Sequence, residues 1–593
     1  MSGSRRQDWK NALTAGLAVG TVALVIGLAR GRSWGQSTSS GLVVERQKRP
    51  ANPWPIGEAQ PIAVHSGRAR FVVPSKSPQA RTLVIVSALA RTGGPYSVRI
   101  SAKSTHRVEI PEYADDGPTA LPLSIAETPI EAPSWALGSP PEVRTFHLPV
   151  RDGDPSSASN YVAVNARLRA SSSLVQVYVD PADLERVDRS TLADIVKTFD
   201  EHVLPKSRET IGSARDVDHD GRFTILLSNW LGHLADGRLS VDGYVRGADF
   251  EPQQLPPFGN CGDVMYLNAS LQSGPHLRTV MAHEYTHAVT YCRKALGSGR
   301  KDEEGWLDEA LAHLSEDLHG FSRSNLDHRV EAFLADPEKY RLLIQDFAAA
   351  DVIRSHGHRG GSYLFVRWCA RHSAPDVMKR LVCSNLRGVA NLEAATGRTF
   401  AALYRSWSAD LYLTSLSPED SSGTIPPRAS RIVPGGADDI AELCSTTSHF
   451  VIVDGTKAGA LEVTVSAPAE AQIQVTAILL PEDAPRVDLN IGWEPGNEGK
   501  GGMVVRIRER DGCKLTVHSL EWIVDDQDPR RPPRRVLIKG DSLLEVLGSD
   551  RLEAYGRLIS RPIAVHQSGV RDVRLVCKDS RGRSVVFWAT RDR

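Results

Sequence analysis

AHEYTHAVTYC, residues 282–292, decides how the middle of this chain is read. On a helix, His283 and His287 lie one turn apart and project from one face, so both imidazoles can reach a single ion. Glu284 then falls beside that ion without entering its coordination sphere. This is the H-E-x-x-H arrangement, in which neutral imidazoles hold zinc and the carboxylate takes a proton from an activated water. The plain alternative is a helix with two chance histidines. Val280, Met281 and Ala282 before the motif and Ala288 and Val289 after it argue against that, because they bury the helix, and a buried histidine pair around a carboxylate needs a partner.

A catalytic zinc needs a third protein ligand and an open position. WLDEALAHLSED at 306–317 reads as a second helix. Leu307, Ala310, Leu311, Leu314 and Leu318 form its apolar stripe, and Glu309, His313 and Glu316 share the opposite face. Alone, that pattern describes an amphipathic helix with a solvated acidic side; downstream of H-E-x-x-H it becomes the source of the missing ligand.

HEYTH followed by WLDEALAHLSED resembles the gluzincin zinc metallopeptidases, which include thermolysin and the aminopeptidases with a W-L-N-E-G signature. The resemblance implies that Glu309 is the third zinc ligand and Glu284 the general base. More specifically, the order of features resembles the hyicolysin-like neutral metallopeptidases: YVD at 178–180, DVDHDG at 216–221 and GGSYLF at 360–365 stand in the matching sequence. It covers roughly residues 145–415. Thermolysin-like enzymes carry an aspartate four residues after the glutamate ligand, where it orients the first histidine; here that position is His313. The orienting partner must then come from elsewhere, with Asp308 and Glu316 as candidates beside a backbone carbonyl. The resemblance also calls for a tyrosine or histidine to stabilise the oxyanion. Tyr363, at the start of an apolar helix, and His358, in the glycine-rich loop SHGHRGG, are the candidates; for Tyr363 a core position is the alternative.

DVDHDGRFTILL offers the oxygen spacing of a calcium loop at Asp216, Asp218 and Asp220, with Gly221 for the turn. The glutamate that closes an EF-hand loop is replaced by Leu227, so a full EF-hand is excluded, and a calcium-stabilised turn and a plain acidic turn both remain. GDVMYLNA, just before the zinc helix, reads either as an edge strand along which an extended peptide lies or as an interior strand.

At 593 residues the chain is too long for one core. Lysine plus arginine equal aspartate plus glutamate at 71 each, so no nucleic-acid partner is implied. Arg5, Arg6 and Lys10 precede an uncharged apolar run over residues 12–29, which reads as an export segment, either cleaved so that the protein is secreted or retained as a membrane anchor. The seven cysteines contain no CxxC pair, which removes a cysteine zinc site and leaves Cys261–Cys292 as the first candidate disulfide.

The expected organisation is a signal peptide or anchor at 1–35, a linker at 36–60, a small β domain at 61–140, a catalytic domain at 141–417 and one or two β-sandwich-like modules at 418–593. The expected fold is multidomain: an α+β thermolysin-like (zincin) catalytic domain with a mainly helical C-terminal half, flanked by β-rich domains. The expected activity is zinc-dependent hydrolysis of peptide bonds in a peptide or protein substrate, with endopeptidase action preferred. The alternatives are an aminopeptidase and a noncatalytic exported binding protein that keeps a peptidase-like domain.

Overall fold

The computed structural model describes residues 54–75, 77–107, 109–115, 138–295, 302–344, 355–414, 426–480, 487–494, 502–509, 513–524, 534–563, 570–579, 582 and 584–590. The expected export segment and most of the expected linker lie outside these residues. Among the described residues, no helix is long and apolar enough to cross a membrane.

The middle of the chain builds one sheet from β1 (Val143–Pro149), β2 (Tyr161–Ser171), β3 (Val175–Val179), β4 (Phe223–Ser228), β5 (Gly243–Val245) and β6 (Val264–Asn268). Its order is β1-β2-β3-β4-β6-β5. The pairs β3/β4 and β4/β6 are parallel and the others antiparallel. VQVYV, FTILLS and VMYLN are buried at every position, because parallel strands covered on both faces carry continuous apolar runs. GDVMYLNA therefore forms an interior strand, and the edge-strand reading of it is overturned: the edge is the short GYV of β5, too brief to stand out in the sequence.

Helix α1 (Arg189–Thr198) turns Leu192, Ile195 and then Phe199 and Val203 into the core. Its cap is Asp188. The Asp188 carboxylate accepts from the Thr191 amide at 2.7 Å, and the Ser190 hydroxyl donates to that same carboxylate. The helices that follow include α2 (Pro275–Lys294), α3 (Gly305–His319), α4 (Ser324–Ala335) and α5 (His356–Arg371). Pro275 suits the first position of α2, where its missing N–H costs nothing, and Gly320 ends α3 at φ 67°. SHGHRGG is the first turns of α5 and not a loop. Gly360 and Gly361 face α4, where a Cβ on Gly360 would run into the carbonyl oxygen of Arg329 and one on Gly361 into the Phe333 ring, while Gly357 abuts the Tyr340 ring. They are there for close helix packing, which outweighs their low helix propensity.

The described strands of residues 61–140 pair with strands beyond residue 429 and not only with one another. Arg81–Ala88 runs between Ser448–Asp454 and Ile473–Leu480, and Gly459–Ser466 runs between Arg68–Ser75 and Tyr96–Thr105. Two sheets thus draw strands from both sides of the α/β region and close over a shared core that includes Phe71, Val84, Val86, Val451, Val463 and Val475. Trp54, at the end of the expected linker, is buried in that core against Phe71. This pairing has a simple physical source: alternation marks a strand, but its partner is chosen by tertiary packing.

Beyond residue 486 a further set of strands and one short helix surround their own core of Val505, Ile507, Leu520, Trp522, Val573 and Leu575. An ion pair from Arg535 to Glu331 ties this set to α4. Neither Cys261 nor Cys292 is in a disulfide, which overturns the Cys261–Cys292 pairing. Cys292 is buried on α2, while the Cys261 thiol donates to the Gln254 carbonyl at 3.6 Å.

Candidate metal centre

Glycine at position 243 lets β5 lie against α2, since a Cβ there would sit 2.9 Å from Cγ of Glu284. From the other side α3 packs along α2, presenting Asp308, Glu309, His313 and Glu316 to it. The polar side of α3 is accordingly not solvated: His313 is 0% exposed and Glu316 1%.

Nε2 of His283 and Nε2 of His287 are 3.2 Å apart, and Oε2 of Glu309 lies 3.6 Å from the former. The three donor atoms lie within 4.8 Å of one another. Each ring's other nitrogen is committed. His283 Nδ1 donates to Oε1 of Glu316 at 2.7 Å, and His287 Nδ1 donates to Oδ2 of Asp308 at 2.7 Å. Of the two candidates for orienting His283, Glu316 takes that place, and Asp308 meets His287 instead.

That pairing fixes the chemistry of the cluster. With a proton on each Nδ1, the two neutral rings face each other through lone pairs, and the buried Oε2 of Glu309 has no hydrogen-bond donor. Lone pairs gathered at this separation require a cation between them. For tetrahedral donors about 2.1 Å from zinc the edges are about 3.4 Å, close to the observed spacing, so the residues fit the ion. Without a metal, the cation is a proton. Burial alone would lower His287, but Asp308, Glu309 and Glu284 outweigh it and hold the imidazole up at about 10.

The carboxylates split by environment. Burial pushes Glu284 above its ordinary value, against the opposing pull of His283 and His287. Burial would also raise Glu309 and Glu316. Around Glu309 the charges of Arg359, His287 and His283 win, and around Glu316 the hydrogen bonds from His283 and His313 win, so both stay well below the usual carboxylate range. His313 is driven down to about 4, first by burial, and is neutral. Its Nδ1 donates to Oε1 of Glu316 at 2.8 Å, and its Nε2 stops 3.9 Å from Oε2 of Glu309.

The two candidates for an oxyanion donor are not brought to the cluster. Tyr363 is fully buried, its hydroxyl beside Asp317 and its ring 6.0 Å from the Arg367 guanidinium carbon, with burial pushing the phenol up to about 12. His358 donates from Nδ1 to the Arg341 carbonyl at 3.1 Å and sets its ring edge-on to Tyr340. The residue of α5 that does reach the cluster is Arg359, whose Nη2 is 3.4 Å from Oε1 of Glu309. A helical reading of SHGHRGG would have placed Arg359 one turn before Tyr363 on the same face.

The acidic turn regroups as well. Asp216 and Asp218 converge with the buried Asp263 within 4.8 Å, while Asp220 turns to the side-chain amide of Gln176 and the Arg222 amide. Arg144 pairs with Asp218 at 2.7 Å. Burial first, and then Asp218 and Asp216, push the Asp263 carboxyl well up. Nothing in the sequence around Asp263 announced this, since it lies 42 positions beyond Gly221 in the turn.

No protein-family model matches the chain. One curated relative is the neutral metalloprotease ShpI of Staphylococcus hyicus, 32% identical over 151 residues that make up 24% of this chain. The chain spans about a third of that relative's length, 33%. This is a partial relationship to a metallopeptidase.

Proposed function

We propose that the chain is a zinc-dependent peptidase whose α/β region, β1 to the helices after α5, is a zincin-type catalytic domain. His283, His287 and Glu309 hold the ion and Glu284 is the general base. The observation that carries this reading is the convergence of two imidazole lone pairs and one donorless carboxylate oxygen, each ring fixed from behind by its own carboxylate.

Zinc bound there would polarise a carbonyl and bring the pKa of water to about 7. Everything else falls to the chain's own side chains. Glu284 is buried and its carboxyl is raised, so near neutrality it can take a proton from the attacking water and pass it to the departing amine. Asp308 and Glu316 keep the ligand rings in the tautomer that leaves Nε2 free. Arg359 brings a fixed positive charge beside Glu309, and we assign it the stabilisation of the oxyanion. The edge strand β5, in contact with Glu284 through Gly243, is where an extended peptide would add, favouring internal cleavage. Export through residues 12–29 belongs to the same reading.

Zinc analysis with a casein cleavage assay on wild type and Glu284→Gln tests it. The expected result is retained zinc with cleavage reduced by about a hundredfold to ten-thousandfold. A zinc-loaded wild type that cleaves neither casein nor a peptide library would leave a metal-bound binding protein instead.

A further inference from the structure

His283 is oriented by Glu316, one of the two carboxylates the sequence offered. Where thermolysin-like enzymes carry the aspartate, this chain has His313, and the carboxylate that meets His283 belongs to Glu316, nearly one helical turn further along α3. A longer side chain makes up part of the extra distance. It also brings a burden, because the Glu316 carboxylate is 1% exposed and its oxygens need protein donors. Its Oε1 already accepts from the Nδ1 atoms of both His283 and His313.

The remaining donor comes from another helix. Nδ2 of Asn325, in the first turn of α4, lies 3.0 Å from Oε1 and 3.0 Å from Oε2 of Glu316, bridging the carboxylate. Which end of that amide faces Glu316 follows from its partners. The carboxylate can only accept, and on the far side Nη1 of Arg329 can only donate, meeting Asn325 at both its side-chain and main-chain oxygens. The NH2 must point to Glu316 and the oxygen to Arg329. Helix α4 can stand this close because Gly360 and Gly361 remove the side chains that would hold it off α5.

Building on the zinc reading above, we infer that Asn325 is a positioning residue of the metal centre: anchored by Arg329, it holds the Glu316 carboxylate on His283, and the unit Arg329–Asn325–Glu316 replaces the aspartate that His313 has displaced. Neither Asn325 nor Glu316 touches substrate. Asn325→Asp keeps the shape and turns the donor into an acceptor, setting one carboxylate against another and driving Glu316 off His283.

The test is zinc affinity by chelator competition on the full chain, together with the visible spectrum of the cobalt-substituted protein. Asn325→Asp and Glu316→Gln are each expected to weaken zinc binding by about 10- to 100-fold and to alter the cobalt bands, while Asn325→Ala shows a smaller loss in the same direction. Folded variants that bind zinc within about twofold of wild type and keep its cobalt spectrum overturn the inference. Should the substitutions prevent folding, the wild type decides. Its cobalt form must show an exchangeable, paramagnetically shifted imidazole N–H for His283 as well as His287, and absence of the first overturns it. A wild type that takes up no zinc, or that binds it equally after His283→Ala, is a different failure, since it removes the zinc reading itself.

Discussion

Asp308 Oδ2 accepts from His287 Nδ1 at 2.7 Å, while the adjoining residue, Glu309, turns its carboxylate to the opposite nitrogen side of the pair. Consecutive residues on one helix thus serve as orienting group and candidate ligand. Two neighbouring side chains on α3 diverge by about 100°, and α2 presents two rings one turn apart, so each carboxylate meets a different imidazole.

This arrangement sets a pH dependence. The His287 imidazole is raised from 6.5 to about 10 by Asp308, Glu309 and Glu284 against burial, so in the metal-free protein its stabilising contribution is complete below about 6.5 and is lost as pH rises toward 10. Zinc must displace that proton. Apparent zinc affinity should therefore climb by about tenfold per pH unit between pH 7 and 9, with proton release on binding, and the melting temperature of apoprotein should fall over the same range while that of the zinc form does not. Titration calorimetry in buffers of different ionisation enthalpy, with parallel melts, measures both; pH-independent affinity would refute the protonated pair.

Arg359 can act on the reaction or only on its ligand neighbour. If it stabilises the oxyanion, Arg359→Met should lower kcat by about 100- to 1000-fold with zinc content intact and KM little changed. Loss of zinc in place of kcat would show that its work is to hold Glu309.

Gly360→Ala sets two terms against each other. Alanine is better than glycine inside a helix by about 1 kcal/mol, but the added methyl meets the backbone carbonyl of Arg329, which cannot swing aside as a side chain can. Overpacking of this kind costs about 1–3 kcal/mol, so a net destabilisation is expected, readable as a lower denaturant midpoint. Because α4 would move with Asn325, zinc affinity should fall too.

The shared sandwich predicts how the chain can be cut. A protein ending at residue 417 leaves Arg81–Ala88 without either neighbouring strand and should aggregate or be digested quickly by trypsin. Ending at residue 480 keeps both sheets and should preserve a cooperative melt, with the Arg535–Glu331 tie to α4 lost. Equal protease resistance of the two truncations would contradict the pairing.

Local spacing made the helices and their chemistry legible. His283 and His287 share a face because four residues make about one turn, and Leu307, Ala310, Leu311 and Leu314 on α3 had to be buried whatever lay opposite. Asp308 and Glu316 were visible as carboxylates on that helix, although which ring each would meet was not. SHGHRGG was misread because glycines ordinarily break helices, and only the closeness of α4 explains why here they belong to one.

By itself, then, the sequence determined what depends on near neighbours along the chain: the H-E-x-x-H face of α2, the acidic face of α3 and the apolar strands of the central sheet. Tertiary structure alone decided what depends on distant ones: Arg359 at Glu309 instead of Tyr363 or His358, Asn325 beneath Glu316, Asp263 beside Asp216 and Asp218, and residues 60–105 paired with 429–480. The reason is that helix and strand periodicity repeat over a few residues and can be counted, whereas the partner of a buried carboxylate or a strand edge is selected by packing the whole chain at once.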